Sequence, residues 1–371
     1  MQIGGTSLLM IYLFLHVKYD KEMSFSSKLK RIDYGGNGLI IGSTISILYA
    51  LTYGGNLLPW SSGRVIATLV IGLAGLAAFV WFENTAFVKE PVLPIRLFET
   101  RTSVVVFIAT FLNSVILYWM LFFLSVYFQA VLGSSPARAG VQLLPAAVVS
   151  IPGAIVAVIL LSRFGRYKPL HLAGFAIQTL GIGLCILLDK DSSTAEWVLS
   201  QAVAALGSGF VLNTLLPAAQ AQMGESDQAA TTAAWSFTRS FGSIWGVAIP
   251  AAIFSNRFAE LAGGGITDPQ VRAAFEGGNG AYMHALADFV DSFPEPSRRE
   301  IITVYSGALK LVWQGGVAFS ALSFLLVFLE KEVKLRKELD TAYGLEETEK
   351  AKVDVTGKER SVLDEEKMPR S

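Results

Sequence analysis

Long stretches without one charged side chain constrain this chain more than any other feature. They run Met1–Val17, Tyr34–Gly63, Val65–Phe82, Thr102–Ala137, Ala139–Ser162, Pro169–Leu188, Trp197–Gly224, Ser240–Asn256 and Leu311–Leu329. A membrane span needs about 20 apolar residues, whereas apolar runs of 10–14 are more often buried core helices of soluble proteins. Lipid offers backbone N–H and C=O groups no partner, so each span has to be a helix that satisfies its own. The windows predict an all-α polytopic membrane protein with nine helices: 3–17, 36–53, 65–83, 103–128, 140–161, 170–188, 197–220, 231–254 and 308–329.

The charges missing from the windows collect elsewhere. Lys331–Ser371 holds 10 basic and 11 acidic side chains, so a solvated, mostly disordered tail is expected there. The formal net charge is zero, which gives nucleic acid no electrostatic footprint, and no nucleic-acid partner is expected. The one cysteine, Cys185, excludes a disulfide framework and a Cys-based metal site. His16, His171 and His284 lie far apart at loop edges, with no Gly-Lys-Ser/Thr phosphate loop and no Gly-x-Ser-x-Gly. The sequence therefore predicts no enzyme, no cofactor, no metal, and no ATP-driven step by this chain alone.

Basic residues in short loops set orientation. The loop after the first window carries Lys18, Lys21, Lys28, Lys30 and Arg31, and Gly54–Gly63 carries none. Lys89, Arg96 and Arg101 follow the third window, Arg138 the fourth, and Arg163, Arg166 and Lys168 the fifth; only Lys190 follows the sixth. The alternation puts odd-numbered loops and the tail in the cytoplasm, and the long loop 256–305 outside, with short amphipathic helices near 269–275 and 282–293.

Polar residues inside the spans are the candidates for function. Arg239 lies in the eighth helix beside Trp235, where a buried arginine costs about 2.5–3.5 kcal/mol and needs water or a partner. It either snorkels toward Glu225 and Asp227 or lines a cavity. Asn113, Tyr118, Trp119 and Gln129 mark the fourth helix, Gln178 the sixth, Asn213 and Gln220 the seventh, and Trp313 and Gln314 the ninth. Amides and aromatics at mid-membrane suit an amphipathic solute, and they equally suit hydrogen bonding between helices. Trp60 and Tyr127 read as interfacial anchors. Gly38-x-x-x-Gly42 and Gly242-x-x-x-Gly246 let helices approach, and Pro145, Pro152, Pro217 and Pro250 permit bends.

The segment Leu161-Ser-Arg-Phe-Gly-Arg-Tyr-Lys-Pro-Leu170 resembles the second-half copy of the basic loop motif of the major facilitator superfamily, with Arg163, Gly165, Arg166 and Lys168 at its characteristic positions. Ser162 stands where the stronger copy has Asp. Further stretches are similar to the fourteen-span drug:proton antiporters of the fungal toxin and multidrug efflux branch. They are Arg31-Ile-Asp-Tyr-Gly-Gly-Asn-Gly, Leu51-Thr-Tyr-Gly-Gly-Asn-Leu-Leu-Pro-Trp60, Glu90-Pro-Val-Leu-Pro-Ile-Arg-Leu-Phe98, Tyr127-Phe-Gln-Ala-Val-Leu-Gly-Ser-Ser-Pro-Ala-Arg-Ala-Gly140 and Arg239-Ser-Phe-Gly-Ser-Ile-Trp-Gly-Val-Ala248.

The resemblance implies a partial bundle lacking the first five family helices. Residues 1–17 would be the shortened last helix of the first half. Residues 18–102 would be a cytoplasmic loop, two central extra helices and a linker. Residues 103–330 would be the complete six-helix second half, and 331–371 the tail. It implies efflux of amphipathic organic compounds, drugs or toxins, by alternating access. The expected partners are the lipid bilayer, the small solute and protons. The plasma membrane is the expected location, the vacuolar membrane the alternative. No Asp or Glu lies inside a predicted span, with Asp33 and Glu83 at ends. Proton coupling is therefore expected of a full-length form and not of these 371 residues alone. The competing reading is a truncated, non-transporting fragment of such a pump.

Overall fold

The computed structural model describes residues 2–14, 33–55, 57–85, 88, 91–275 and 280–333. The basic loop 18–31, His16, Lys89 and the tail beyond Val333 lie outside the described residues. An apolar helix, α1 (Gln2–Phe14), belongs to one compact unit, and residues 32–337 form another.

The larger unit is built from helices and turns. Its long helices are α2 (Tyr34–Tyr53), α3 (Gly63–Glu83) and α4 (Arg101–Val126), the last continued by a π-turn over Tyr127–Val131. Then come α5 (Pro136–Gln142), α6 (Leu144–Phe164), α7 (Lys168–Cys185), α8 (Thr194–Ala221) and α9 (Gln228–Gly265). Three short helices, α10 (Pro269–Ala273), α11 (Gly280–Met283) and α12 (Ala287–Asp291), lead into α13 (Ser297–Val327).

A helix stands at every place where a charge-free window predicts one. Among the described residues, six are long and apolar enough to cross a membrane: α2, α3, α4 with its π-turn, α5–α6, α8 and α13. The other three fall short for physical reasons. The described part of α1 is short, α7 carries Lys168, His171 and Gln178, and α9 carries Arg239, Arg257 and Glu260.

Local chemistry sets the ends. Asp33 caps α2, its carboxylate accepting from Gly36 N at 2.8 Å, and Thr100 caps α4 by accepting from Ser103 N at 3.1 Å. Ser193 and Glu196 form a reciprocal capping box at the start of α8. Gly165 stops α6 in the left-handed region at φ 65°, which a side chain would resist.

Within the bundle α4 packs against α8, α9 and α13, α6 and α7 flank α8, and α2 pairs with α3. Small residues permit the tightest of these contacts. A Cβ at Gly246 of α9 would lie 2.4 Å from the Val115 carbonyl oxygen of α4, and one at Gly207 of α8 would lie 2.4 Å from Gln178 N of α7. The pair Gly38 and Gly42 does not act this way: a Cβ at either would meet no described residue within 4 Å, and α2 instead meets α3 at Gly72 and Gly75. Pro152, Pro217 and Pro250 lie inside helices, but Pro145 sits in the first turn of α6, where no hydrogen bond is lost.

Two loop readings change. Residues 256–305 are largely helical, because α9 runs on to Gly265 and α13 begins at Ser297. The short helices between them fold onto an aromatic cluster. Phe258 meets Tyr305 edge-on at 4.9 Å, Phe275 meets Phe289 at 5.6 Å, and the Tyr305 hydroxyl donates to Ala281 O at 2.7 Å. Tyr127 is also no interfacial anchor. It is buried, and its hydroxyl donates to Asp189 O at 2.8 Å, pinning the end of α4 to the α7–α8 turn. Tyr127→Phe removes the donor from that carbonyl and should lower stability by about 1–3 kcal/mol, read from detergent unfolding.

Candidate functional site

Two of the six amides predicted in the spans pair with each other across helices. Asn113 of α4 and Gln178 of α7 are both 1% exposed, and Gln178 Nε2 donates to Asn113 Oδ1 at 3.2 Å. Trp119, one and a half turns further along α4, is buried against Gly315 and Gly316 of α13 and stacks at a tilt on Phe319, 5.5 Å away. Tyr118 lies beside Gly246 and stacks on Phe122. Asn213 and Gln314 are exposed on their helices and do not join this group.

Next to the Asn113–Gln178 pair a cavity of about 390 Å³ opens between α4, α5–α6, α7 and α8. Its lining is apolar apart from Ser150, Ser208, Gln178 and Gln201, and it contains no charged side chain. Gln201 is a residue that the sequence reading passes over. It is fully buried, and its Nε2 donates to the Gln142 carbonyl at 3.0 Å. The only signal available was an amide near the start of the charge-free run Trp197–Gly224, which reads as an ordinary helix contact.

Arg239 is half-buried on α9. Its guanidinium lies over the Trp235 ring at 4.7 Å, a cation–π contact, with Nε buried and without a hydrogen-bond partner. Asp227 is not its partner, because Asp227 pairs with Arg96 at 2.8 Å.

The basic loop forms a latch on the end of α13. Arg166 pairs with Glu332 at 2.8 Å, and Lys168 Nζ donates to the carbonyls of Phe328 at 3.1 Å and Glu330 at 2.6 Å. Arg163 instead lies over Phe164 at 5.9 Å. Tyr167 is fully buried. Its hydroxyl donates to Lys331 O at 2.6 Å, and it accepts from Gln222 Nε2 at 3.1 Å and Val333 N at 3.0 Å. Burial pushes the Tyr167 pKa up, which keeps this donor protonated. Beneath it His171 Nδ1 meets the Glu330 carboxylate at 2.9 Å, with both side chains shut off from solvent. The histidines are thus not all isolated at loop edges; His171 has an acidic partner 159 residues away. A second acidic feature joins the central helices, where the Asp33 and Glu83 carboxyls meet close to Gly36 with one oxygen of each buried.

Comparison with known proteins gives this arrangement a family. Residues 35–247 match the Major Facilitator Superfamily. The MFS-type transporter TwmF of Talaromyces wortmannii is 50% identical over 93% of this chain and 63% of its own length. The MFS-type efflux transporter phmH of Phaeosphaeria nodorum is 45% identical over 94% of this chain and 61% of its own. The chain thus spans about three-fifths of the length of these relatives. Among solved structures, a bacterial homologue of the human lysosomal transporter Spinster, inward-facing and occupied, aligns with TM-score 0.47 and 16% identity over 78% of this chain and 66% of that one. From its all-helical bundle and its family match, this chain is a membrane protein that belongs to the Major Facilitator Superfamily.

Proposed function

We propose that α4 through α13 form one six-helix half of a transporter that exports amphipathic organic compounds by alternating access, driven by protons in a full-length form. The observation that carries this reading is the uncharged cavity beside the buried Asn113–Gln178 pair. A site of this size, apolar with a few placed polar groups, suits a drug-sized solute. Relatives of similar sequence are named efflux transporters, which supports the direction of transport. Arg239, over Trp235 on α9, stands as a further pathway residue, and the Asp33–Glu83 pair is a buried acidic site that bears on proton exchange. The plasma membrane is the proposed location.

The test uses the 371-residue chain in lipid vesicles with a neutral amphipathic fluorophore. Saturable binding without export driven by a pH gradient is the expected outcome. Uphill export by these residues alone, tied to the gradient, overturns the assignment of coupling to the full-length form. A chain with no saturable binding contradicts the solute-binding half and leaves the non-transporting fragment.

A further inference from the structure

We infer that the cavity between α4, α5–α6, α7 and α8 selects uncharged, largely apolar solutes that carry a hydrogen-bond donor, and that Gln201 Oε1 is the acceptor that reads it. This deepens the proposed function and rests on it. The argument starts from the orientation of one amide. Gln201 Nε2 donates to the backbone carbonyl of Gln142 at 3.0 Å. A backbone carbonyl can only accept, so the amide cannot be turned over, and Oε1 is fixed on the other side. That oxygen is buried without a hydrogen-bond partner, on a side chain with 0% exposure that lines the cavity. Gln178, 1% exposed and also in the lining, spends its Nε2 on Asn113 and leaves its Oε1 buried and unpaired as well. Buried acceptors in proteins are ordinarily satisfied, and those left over in a cavity are where a ligand's donor is worth most.

The rest of the lining sets the remaining chemistry. No charged side chain faces the cavity, so an ion entering it would lose its hydration without gaining a counter-charge. Ser150 spends its proton on the Ala147 carbonyl at 2.9 Å, and among the lining residues the two glutamine oxygens are the acceptors buried without a donor from the described residues. An alcohol, a phenol or an amide N–H on an apolar body meets all of these conditions; a quaternary cation, a carboxylate or a pure hydrocarbon does not. Discrimination of this kind is stronger than that of an apolar wall, because a buried acceptor left unpaired by the wrong solute is penalised directly.

The experiment is equilibrium binding of a matched pair, 1-pyrenemethanol and its methyl ether, to the purified full chain in detergent. The alcohol is expected to bind about tenfold tighter than the ether. Gln201→Leu should strongly reduce that preference with the ether still bound, and an unchanged monodisperse peak and helical circular dichroism show that the variant is folded. Ala205→Phe, which puts a ring into the cavity from α8, should lose both probes. Equal affinity for alcohol and ether in the parent chain, with both lost in Ala205→Phe, overturns donor recognition and leaves the solute-binding half intact. A preference that survives Gln201→Leu likewise overturns the role of Gln201. Absence of saturable binding of either probe removes the reading on which the inference rests.

Discussion

Replacing His171 with alanine is expected to cost the folded chain about 3–5 kcal/mol, the usual penalty for leaving a buried charge without its partner. His171 Nδ1 faces the Glu330 carboxylate at 2.9 Å, and neither side chain reaches solvent. The other ring nitrogen, Nε2, is buried with no partner among the described residues. Lys168 meets Glu330 only through its backbone carbonyl, at 2.6 Å. Alanine removes the donor and opens a gap, while the carboxylate stays in a low-dielectric pocket. Unfolding in mixed micelles with increasing denaturing detergent measures the loss. The double variant His171→Leu with Glu330→Leu should recover most of it, since exchanging a whole buried pair for apolar groups is often neutral or better. A single variant as stable as the parent, or a double variant worse than the single, contradicts the buried-pair account.

Gly246→Val is the second large effect. The added Cβ would lie 2.4 Å from Val115 O and 2.9 Å from Tyr118 Cβ, so the α4 and α9 backbones must part to admit it. Overpacking against backbone on one side cannot be relieved by a rotamer change, and a loss of about 3 kcal/mol is expected. Gly38→Val serves as the internal control, because a Cβ at Gly38 would meet nothing within 4 Å among the described residues. The readout is the thermal midpoint of the monodisperse peak in detergent, lowered strongly for the first variant and little for the second. Equal midpoints for the two variants rule out close packing at Gly246.

Helix position was legible because charge is excluded from lipid over the whole length of a span, a signal that survives any detail of packing. The two glycine motifs show where that legibility stops. Gly38-x-x-x-Gly42 and Gly242-x-x-x-Gly246 are equivalent as patterns, yet only the second faces another backbone. Spacing marks a face of small residues and does not say what lies opposite. The same limit hid the latch. His171 reads as a loop-edge residue, and nothing in the sequence around it announces Glu330, 159 residues away, as its partner. Asn113 and Gln178 were found because amides stand out against apolar helices. Gln201 was missed because its importance lies in one oxygen left over after its other bond is made, which only three-dimensional accounting reveals. Charge-free runs also misjudge where helices end, as at Gly265 and Ser297, because helices carry charges freely once they leave the hydrocarbon.

The longest helix has a mechanical consequence. α9 runs 38 residues without a break, and Pro250 within it has no N–H to give the Gly246 carbonyl, so the backbone is most pliant one turn from where it presses hardest on α4. Gly246 divides the helix into arms of about 27 and 28 Å, and the missing hydrogen bond there lets a bend be taken up within the helix instead of being passed from the Trp235–Arg239 side to the Asn256 side.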